Sequence, residues 1–209
     1  MFKVDRGGGL ISPARQRYSP NQDDRPPGMA IDLLVVHGIS LPPGIFEGDE
    51  VDALFSNRLN PDAHPYFRQI ADLRVSAHLF IRRDGRVFQY VPFHRRAWHA
   101  GVSEYGGRTR CNDFSIGIEL EGADEVAYSD TQYRVLAEAY FAIVERYPAI
   151  SPERVVGHND IAPGRKTDPG PAFDWPRLRK SLTIGLPRWR NDSQTVPEST
   201  KRPTDTEEQ

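Results

Sequence analysis

The sequence has little cysteine, no long apolar run and no excess of basic charge, and each absence excludes a class of protein. The single cysteine, Cys111, cannot form an internal disulfide, so nothing in the chain requires an oxidising compartment. No segment approaches the roughly 20 apolar residues of a membrane-spanning helix. The formal net charge is -2, and no basic stripe marks a nucleic-acid surface. We therefore expect neither a membrane nor a nucleic acid as a partner.

The chain of 209 residues is long enough for one core, and its composition divides it into three parts. Residues 1–30 are rich in proline and predict an extended arm without an apolar stretch of signal-peptide length. Residues 31–185 predict the folded domain, and the polar residues 186–209 predict a flexible tail. We expect a cytoplasmic protein, and no obligate protein partner is evident.

Three segments of the domain have the patterns of β-strands. Residues 33–36 form an unbroken apolar run, which is typical of a strand covered on both faces, and this run leads directly into His37. Residues 77–83 and 86–91 flank Asp84-Gly85, a dipeptide favoured in two-residue hairpin turns. Residues 114–122 alternate, which predicts a strand with one apolar and one acidic face.

Helical patterns complete the prediction of the fold class. Between residues 129 and 147 the apolar positions follow one face of a helix, with a capping box at Ser129 and Gln132 and a stop at Pro148. Residues 49–57 and 174–182 predict shorter helices. We therefore expect an α/β or α+β fold, in which helices flank a mixed central sheet and a functional site lies at one rim of that sheet.

A Pro- and Gly-rich loop at residues 157–171 carries the strongest functional signal. Its His158 and Asp168, together with His37 at the end of the buried strand, make two imidazoles and one carboxylate. This is the ligand set of a catalytic zinc ion that keeps one position open for water. Non-haem Fe(II) oxygenases use a similar set. We expect one Zn²⁺ per chain, and hence hydrolysis.

Two further residues are candidates for the chemistry. Glu119 lies on the acidic face of its strand beside Gly117, where a carboxylate could take a proton from water, although a surface position is the ordinary interpretation of such a residue. Lys166 is two residues before Asp168 and could stabilise an oxyanion. The remaining histidines are interpreted as polar groups at the edge of the core: His64, His78, His94 and His99.

At these residues the sequence resembles the AmpD-type 1,6-anhydro-N-acetylmuramyl-L-alanine amidases of the zinc amidase superfamily. The resemblance runs in collinear order from about residue 12 to residue 182. It is carried by several motifs: His37-Gly-Ile-Ser-Leu-Pro-Pro-Gly44, Asn60-Pro-Asp-Ala-His-Pro-Tyr-Phe67, Arg74-Val-Ser-Ala-His78, Arg95-Arg-Ala-Trp-His-Ala-Gly101, Cys111-Asn-Asp-Phe-Ser-Ile-Gly-Ile-Glu-Leu-Glu-Gly122 and the loop at residues 157–171.

The resemblance implies a role for each matching residue. It places the zinc ligands on His37, His158 and Asp168, the catalytic glutamate on Glu119 and the catalytic lysine on Lys166. It further implies that residues along the groove grip the carboxylates of the stem peptide and the sugar rings: Arg74, Arg110, Trp98 and Tyr66. Arginine suits the carboxylates because its planar guanidinium donates two parallel hydrogen bonds.

The implied activity is cleavage of the amide between the lactyl group of 1,6-anhydro-N-acetylmuramic acid and L-alanine. The substrate is then an anhydro-muropeptide from peptidoglycan recycling, with an indirect effect on β-lactamase induction where that circuit exists. Two alternatives use the same residues. One is a lytic amidase that acts on intact peptidoglycan, and the other is a muropeptide-binding module without catalysis.

Overall fold

The computed structural model describes residues 1–184, which contain twelve strands, five α-helices and two short 3-10 helices, Cys111–Asp113 and Pro152–Arg154. The strands are β1 (Lys3–Val4), β2 (Ile11–Ser12), β3 (Arg15–Gln16), β4 (Gln22–Asp23), β5 (Leu33–Ile39), β6 (Leu79–Ile81), β7 (Val87–Gln89), β8 (Arg96–Ala97), β9 (Glu104–Tyr105), β10 (Arg108–Thr109), β11 (Ser115–Glu121) and β12 (Val155–Gly157). The helices are α1 (Glu50–Phe55), α2 (Phe67–Ile70), α3 (Asp130–Arg146), α4 (His158–Ile161) and α5 (Trp175–Ile184).

A six-stranded mixed sheet with the order β12-β5-β11-β6-β7-β3 forms the centre of the fold. The first four of these strands run parallel to one another, and β7 turns back antiparallel to β6. The predicted α/β class with a mixed sheet is therefore confirmed. The long strands β5 and β11 lie side by side in the middle, where both of their faces are covered.

The predicted strand at residues 33–36 is confirmed, but it continues as far as Ile39. His37 therefore lies inside β5 and not at its end. The alternation of β11 is also confirmed, yet both of its faces are buried. Ile116, Ile118 and Leu120 belong to the core cluster that includes α3, while the acidic positions face the opposite side of the sheet.

Helix α3 agrees with the prediction from its sequence. The Ser129 side chain accepts a hydrogen bond from the backbone N–H of Gln132, and the Gln132 side chain accepts one from the backbone N–H of Ser129. The two residues thus form the expected capping box. The apolar face of α3, including Tyr133, Leu136 and Tyr140, packs on the sheet and closes the core on that side. The predicted helices at residues 49–57 and 174–182 correspond to α1 and α5.

The hairpin between β6 and β7 is confirmed, but its turn differs from the prediction. Arg82 donates its N–H to the carbonyl of Arg86, and Gly85 donates to the carbonyl of Arg82. Three residues therefore connect the paired ends, with Gly85 at a φ of 86°. A type I turn followed by a left-handed glycine is the usual three-residue hairpin, and Asp-Gly suits it as well as the two-residue turn.

Residues 1–30 pack against the rest of the fold through short strands. Within this segment β1 pairs with β2, β3 adds to the sheet beside β7, and β4 pairs with β8. The Arg25 side chain is half-buried and donates to the carbonyls of Phe93 and Ser115 at 3.0 and 2.8 Å. The boundary at residues 30 and 31 stays a prediction. The tail predicted at residues 186–209 lies outside the described residues.

Within residues 1–184, none of the helices combines the length and the apolar character needed to cross a membrane.

Candidate metal centre and cleft

His37, His158 and Asp168 converge at one rim of the central sheet. His37 comes from β5, His158 is the first residue of α4 directly after β12, and Asp168 comes from the loop that follows α4. The two Nδ1 atoms are 3.0 Å apart, and Asp168 Oδ2 lies 3.2 Å from His37 Nδ1 and 3.1 Å from His158 Nδ1. Both histidines are buried and the carboxylate is nearly so. The three ligand atoms thus form an almost equilateral triangle.

This triangle fits a zinc ion. Ligand atoms on a tetrahedral zinc with bonds of about 2.0–2.1 Å lie about 3.3 Å apart, which is close to the observed separations. Burial lowers the pKa of His37 to about 4, so its ring is neutral and offers a lone pair. Burial alone would raise the pKa of Asp168, but the adjacent rings of His158 and His37 outweigh burial and hold that pKa below its ordinary value, so the carboxyl is ionised. The group is able to hold a divalent metal ion.

A non-haem iron site is the alternative assignment for this loop. Non-haem iron sites commonly carry a His-x-Asp pair, and His158-Asn159-Asp160 has that spacing. Asp160, however, is exposed, and its Oδ2 accepts the backbone N–H of Gly157 at 2.7 Å. This carboxylate caps the start of α4 and does not join the ligand group. The carboxylate that joins the ligand group is that of Asp168, ten residues after His158. The zinc prediction was based on this spacing.

Glu119 lies beside the candidate metal ligands because of the register of the sheet. On the neighbouring parallel strands β11 and β5, Glu119 and His37 are directly paired. The Glu119 carboxylate is buried, and its Oε2 has no hydrogen-bond partner among the described residues. Burial, reinforced by the charge of Asp168, raises its pKa well above the ordinary value, whereas Lys166 acts in the opposite direction. A buried carboxylate without a partner, facing a cleft, is typical of a proton-transfer group.

Glu121 shows what a structural carboxylate looks like on the same face of β11. Its Oε1 accepts the backbone N–H of Glu47 at 2.7 Å, and its Oε2 accepts that of Arg83 at 3.0 Å. Both oxygens are therefore used in tying loops to the sheet. Of the two acids in the motif, only Glu119 has an oxygen left for a ligand.

A cleft of about 550 Å³ opens over these residues. We call the part of its lining that contains His158, Asp168, Glu119 and Lys166 the inner end, and the part that contains Tyr66 the outer end. Lys166 is exposed, and its backbone N–H is held by the carbonyl of Ala162 at 3.0 Å. The remaining outer wall is largely apolar and comes from the segments around β5, α1 and α2: Ile39, Leu41, Pro43, Leu54, Ile70, Leu73 and Val75.

The other predicted recognition residues lie outside this wall. Arg74 is exposed next to Leu73, and Arg110 is exposed and forms an ion pair with Asp113 at 3.3 Å. Trp98 is half-buried, and its indole N–H donates to Asp23 at 3.1 Å. Among the described residues that line the cleft, Tyr66 is present and these three are not. Their part in substrate recognition stays a prediction.

His99 is a residue of the site that the sequence did not reveal. Interpreted as a polar group at the edge of the core, it instead lines the cleft and lies with its Nδ1 2.9 Å from His37 Nε2. Gly117 makes this position available, because a Cβ there would lie 2.4 Å from the His99 ring. Gly117, a glycine in the middle of a buried strand, was the one sequence signal that another group lies close to the backbone of β11.

Comparisons with known proteins agree with this geometry. The family described as N-acetylmuramoyl-L-alanine amidase matches residues 27–171. The 1,6-anhydro-N-acetylmuramyl-L-alanine amidase AmpD of Salmonella typhimurium is 61% identical over 84% of this chain and 94% of its own length. A crystal structure of a selenomethionine AmpD derivative superposes with a TM-score of 0.82 at 60% identity, covering 84% of this chain and 98% of that chain.

A solved structure with a ligand is also similar. It is the N-acetylmuramyl-L-alanine amidase AmiD from E. coli in complex with the substrate anhydro-N-acetylmuramic acid-L-Ala-D-γ-Glu-L-Lys. It is 31% identical, with a TM-score of 0.53, and the match covers 85% of this chain and 64% of that chain. The family match over most of the domain, the relative of high identity and the shared fold lead to one conclusion: the chain belongs to the N-acetylmuramoyl-L-alanine amidase family.

Proposed function

We propose that this chain is a zinc-dependent 1,6-anhydro-N-acetylmuramyl-L-alanine amidase. It hydrolyses the amide between the lactyl group of 1,6-anhydro-N-acetylmuramic acid and the L-alanine of a muropeptide. The observation that carries the proposal is the group of His37, His158 and Asp168 with the unpartnered carboxylate of Glu119 beside it in one cleft. The names of its relatives with about 60% identity supply the substrate class.

His37, His158 and Asp168 would hold one zinc ion. Bound zinc lowers the pKa of a coordinated water toward about 7 and polarises a carbonyl oxygen. Glu119 takes the proton of the attacking water and returns it to the nitrogen of the leaving L-alanine, a role that burial favours because it raises the pKa of this carboxyl and so makes it a stronger base. Lys166, at the same end of the cleft, donates a hydrogen bond to the oxygen on which negative charge develops.

The cleft suits a substrate with a sugar and a short peptide. Its volume of about 550 Å³ lies in the range of ordinary ligand sites. Tyr66 and the apolar outer wall offer contact to a sugar ring and to alanine methyl groups. Trp98 is proposed to add a second aromatic contact, and Arg74 and Arg110 are proposed to bind the carboxylates of the stem peptide. The ligand of the AmiD complex has these chemical features.

The cellular role follows from the substrate. We place the enzyme in the cytoplasm, where it would process anhydro-muropeptides during peptidoglycan recycling. By removing these muropeptides it would lower β-lactamase induction in an organism that senses them.

A product analysis tests the proposal directly. The protein loaded with one zinc per chain is incubated with a defined anhydro-muropeptide and, separately, with intact sacculi, and the products are identified by mass spectrometry. We expect free 1,6-anhydro-N-acetylmuramic acid and an intact stem peptide from the first substrate, and little release from sacculi. Rapid release of stem peptides from sacculi would instead indicate a lytic amidase, and tight muropeptide binding without products would indicate a binding module.

A further inference from the structure

We propose that His99 is a positioning residue, which orients the His37 ring toward the metal, and that Asn112 holds the segment His99-Ala100 in place for both histidine ligands. This inference rests on the proposed zinc-dependent function. Neither residue touches the three candidate ligand atoms, so both would act through the side chains that do. The relevant contacts lie on the side of the histidine rings that faces away from the candidate metal position.

The hydrogen bonds around His99 assign its tautomer. The Ser115 hydroxyl has one proton, which it donates to the carbonyl of Cys111 at 2.6 Å. Toward His99 Nε2, at 3.1 Å, the same hydroxyl can only accept, so Nε2 carries the proton. The other ring nitrogen, Nδ1, is then an acceptor and receives the Nε2–H of His37 at 2.9 Å. This arrangement leaves His37 Nδ1 with a free lone pair directed at the candidate metal position.

The second ligand is oriented by the next residue of the same segment. His158 Nε2 lies 3.2 Å from the carbonyl of Ala100, which can only accept, and 3.4 Å from an Arg165 nitrogen. That nitrogen donates to the same carbonyl at 2.6 Å and to the carbonyl of Val102 at 2.7 Å. The contact with the Ala100 carbonyl therefore assigns the proton to Nε2, and Nδ1 keeps its lone pair. The ring of His99 thus fixes the tautomer of His37, and the backbone carbonyl of the next residue, Ala100, fixes that of His158. Such partners raise the basicity of metal ligands and hold their rings in place.

Asn112 determines where this segment lies. Its Oδ1 accepts the backbone N–H of His99 at 3.0 Å and that of Ala100 at 2.8 Å. On the opposite side, Gly117 leaves the space that the His99 ring occupies. These contacts hold the segment so that His99 Nδ1 faces His37 and the carbonyl of Ala100 faces His158. Because His99 and Asn112 are connected to the ligands only through residues that are distant in sequence, the local sequence around them does not reveal this role.

A matched pair of substitutions separates positioning from simple space-filling. His99→Asn and His99→Leu are nearly equal in size, but only asparagine keeps an oxygen close to the position of Nδ1. The zinc dissociation constant is measured by competition with a chromogenic chelator on protein that is folded by circular dichroism. We expect His99→Leu to bind zinc about 10- to 100-fold more weakly and His99→Asn to stay within about threefold of the unsubstituted protein. His94→Leu, which removes an exposed imidazole, is the control and should leave the constant unchanged.

A second pair of substitutions, at Asn112, tests the inference if His99→Leu does not fold. Asn112→Asp keeps an accepting oxygen for the two backbone N–H groups, whereas Asn112→Leu removes it. We expect weaker zinc binding only for the leucine variant, although position 112 contacts no ligand side chain. In both pairs the absorption spectrum of bound Co²⁺ reports ligand geometry, and it should change for the leucine variants alone.

The outcomes distinguish this inference from the proposed function. If the unsubstituted protein binds no zinc, the proposed function itself fails. A different result overturns this inference alone. The unsubstituted protein binds one zinc per chain, but His99→Leu and His99→Asn have equal zinc dissociation constants, whatever their size. The acceptor at Nδ1 would then not position His37.

Discussion

At the inner end of the cleft His37 and Glu119 come from neighbouring central strands and His158 directly follows a third strand, whereas at the outer end the functional side chains come from short helices and loops. His37 and Glu119 are paired across β5 and β11 and are buried. Tyr66 precedes the four-residue helix α2 and is half-buried, and Arg74 follows that helix and is exposed. A strand register fixes the relative position of two side chains closely, but a loop does so only through its own contacts.

This difference predicts different consequences for substitutions. The candidate metal ligands at the inner end already contact one another, and Glu119 is held beside them by the strand register, so removing one of these residues disturbs a preformed arrangement. Residues at the outer end have few partners, so they contribute mainly through the substrate. Inner substitutions should therefore lower kcat or metal affinity, and outer substitutions should raise KM. The predictions below test this contrast, beginning with the largest expected effect.

Asp168→Ala should give the largest loss. It removes one of three candidate ligands and leaves two buried imidazoles without their carboxylate partner. We expect zinc content well below one atom per chain after dialysis and hydrolysis reduced on the order of 10⁴-fold, because water without the metal is a far weaker nucleophile. Atomic emission and product chromatography measure the two quantities. Asp160→Ala, which removes a nearby carboxylate that only caps α4, should keep its zinc. Full metal occupancy in Asp168→Ala would remove this residue from the ligand set.

Glu119→Gln should separate catalysis from metal binding. The amide keeps the size of the side chain but cannot take a proton, so we expect one zinc per chain and a kcat lower by about 10²–10⁴-fold. Glu121→Gln is the matched control on the same face of β11. It weakens the hydrogen bonds that Glu121 accepts from Glu47 and Arg83, which should cost about 1–3 kcal/mol of stability in urea unfolding, with kcat largely kept. Equal kcat values for the two variants would contradict the assignment of the proton-transfer role to Glu119.

The sequence predicted most of the elements that carry the inner end. The apolar run before His37, the alternation of β11 and the capping box of α3 are local signals, and each of them corresponds to the element expected. The parallel pairing of β5 with β11 is not a local property, because it joins segments about 80 residues apart. For this reason the local pattern predicted only an acidic face on β11, and it was the resemblance to the zinc amidases that associated Glu119 with His37.

The contacts around the candidate ligands could not be predicted from the sequence either, because they also join residues that are distant along the chain. His99 has no local pattern that separates it from His94, and its role depends on the space at Gly117 and on the acceptor at Ser115. Arg25 belongs to the proline-rich segment expected to be an arm, yet its guanidinium donates hydrogen bonds to backbone carbonyls of distant residues. In both cases the partner determines the role of the side chain, and the partner is distant in sequence.

Lys166→Ala should have a smaller effect than the substitution at Glu119, because its side chain is exposed and water partly replaces it. We expect kcat to fall about 10²-fold or somewhat more, with zinc content and KM little changed, since an oxyanion donor acts mainly in the transition state. Steady-state kinetics with an anhydro-muropeptide measure both constants. Lys180→Ala, an exposed lysine of α5, controls for loss of charge. A rise in KM with unchanged kcat would instead make Lys166 a substrate-binding residue.

Tyr66→Ala should give the smallest effect and the clearest contrast with the inner end. Tyr66 lines the cleft and has no role in metal binding or proton transfer, so its contact with the substrate should be the same before and during the reaction. An interaction of that kind changes KM and leaves kcat nearly constant. We expect KM to rise about tenfold on loss of one aromatic contact, whereas Tyr66→Phe should stay within about twofold because it keeps the ring. A fall in kcat for Tyr66→Ala would show that the outer wall also shapes the reacting end of the cleft, and the division between the two ends would then be wrong.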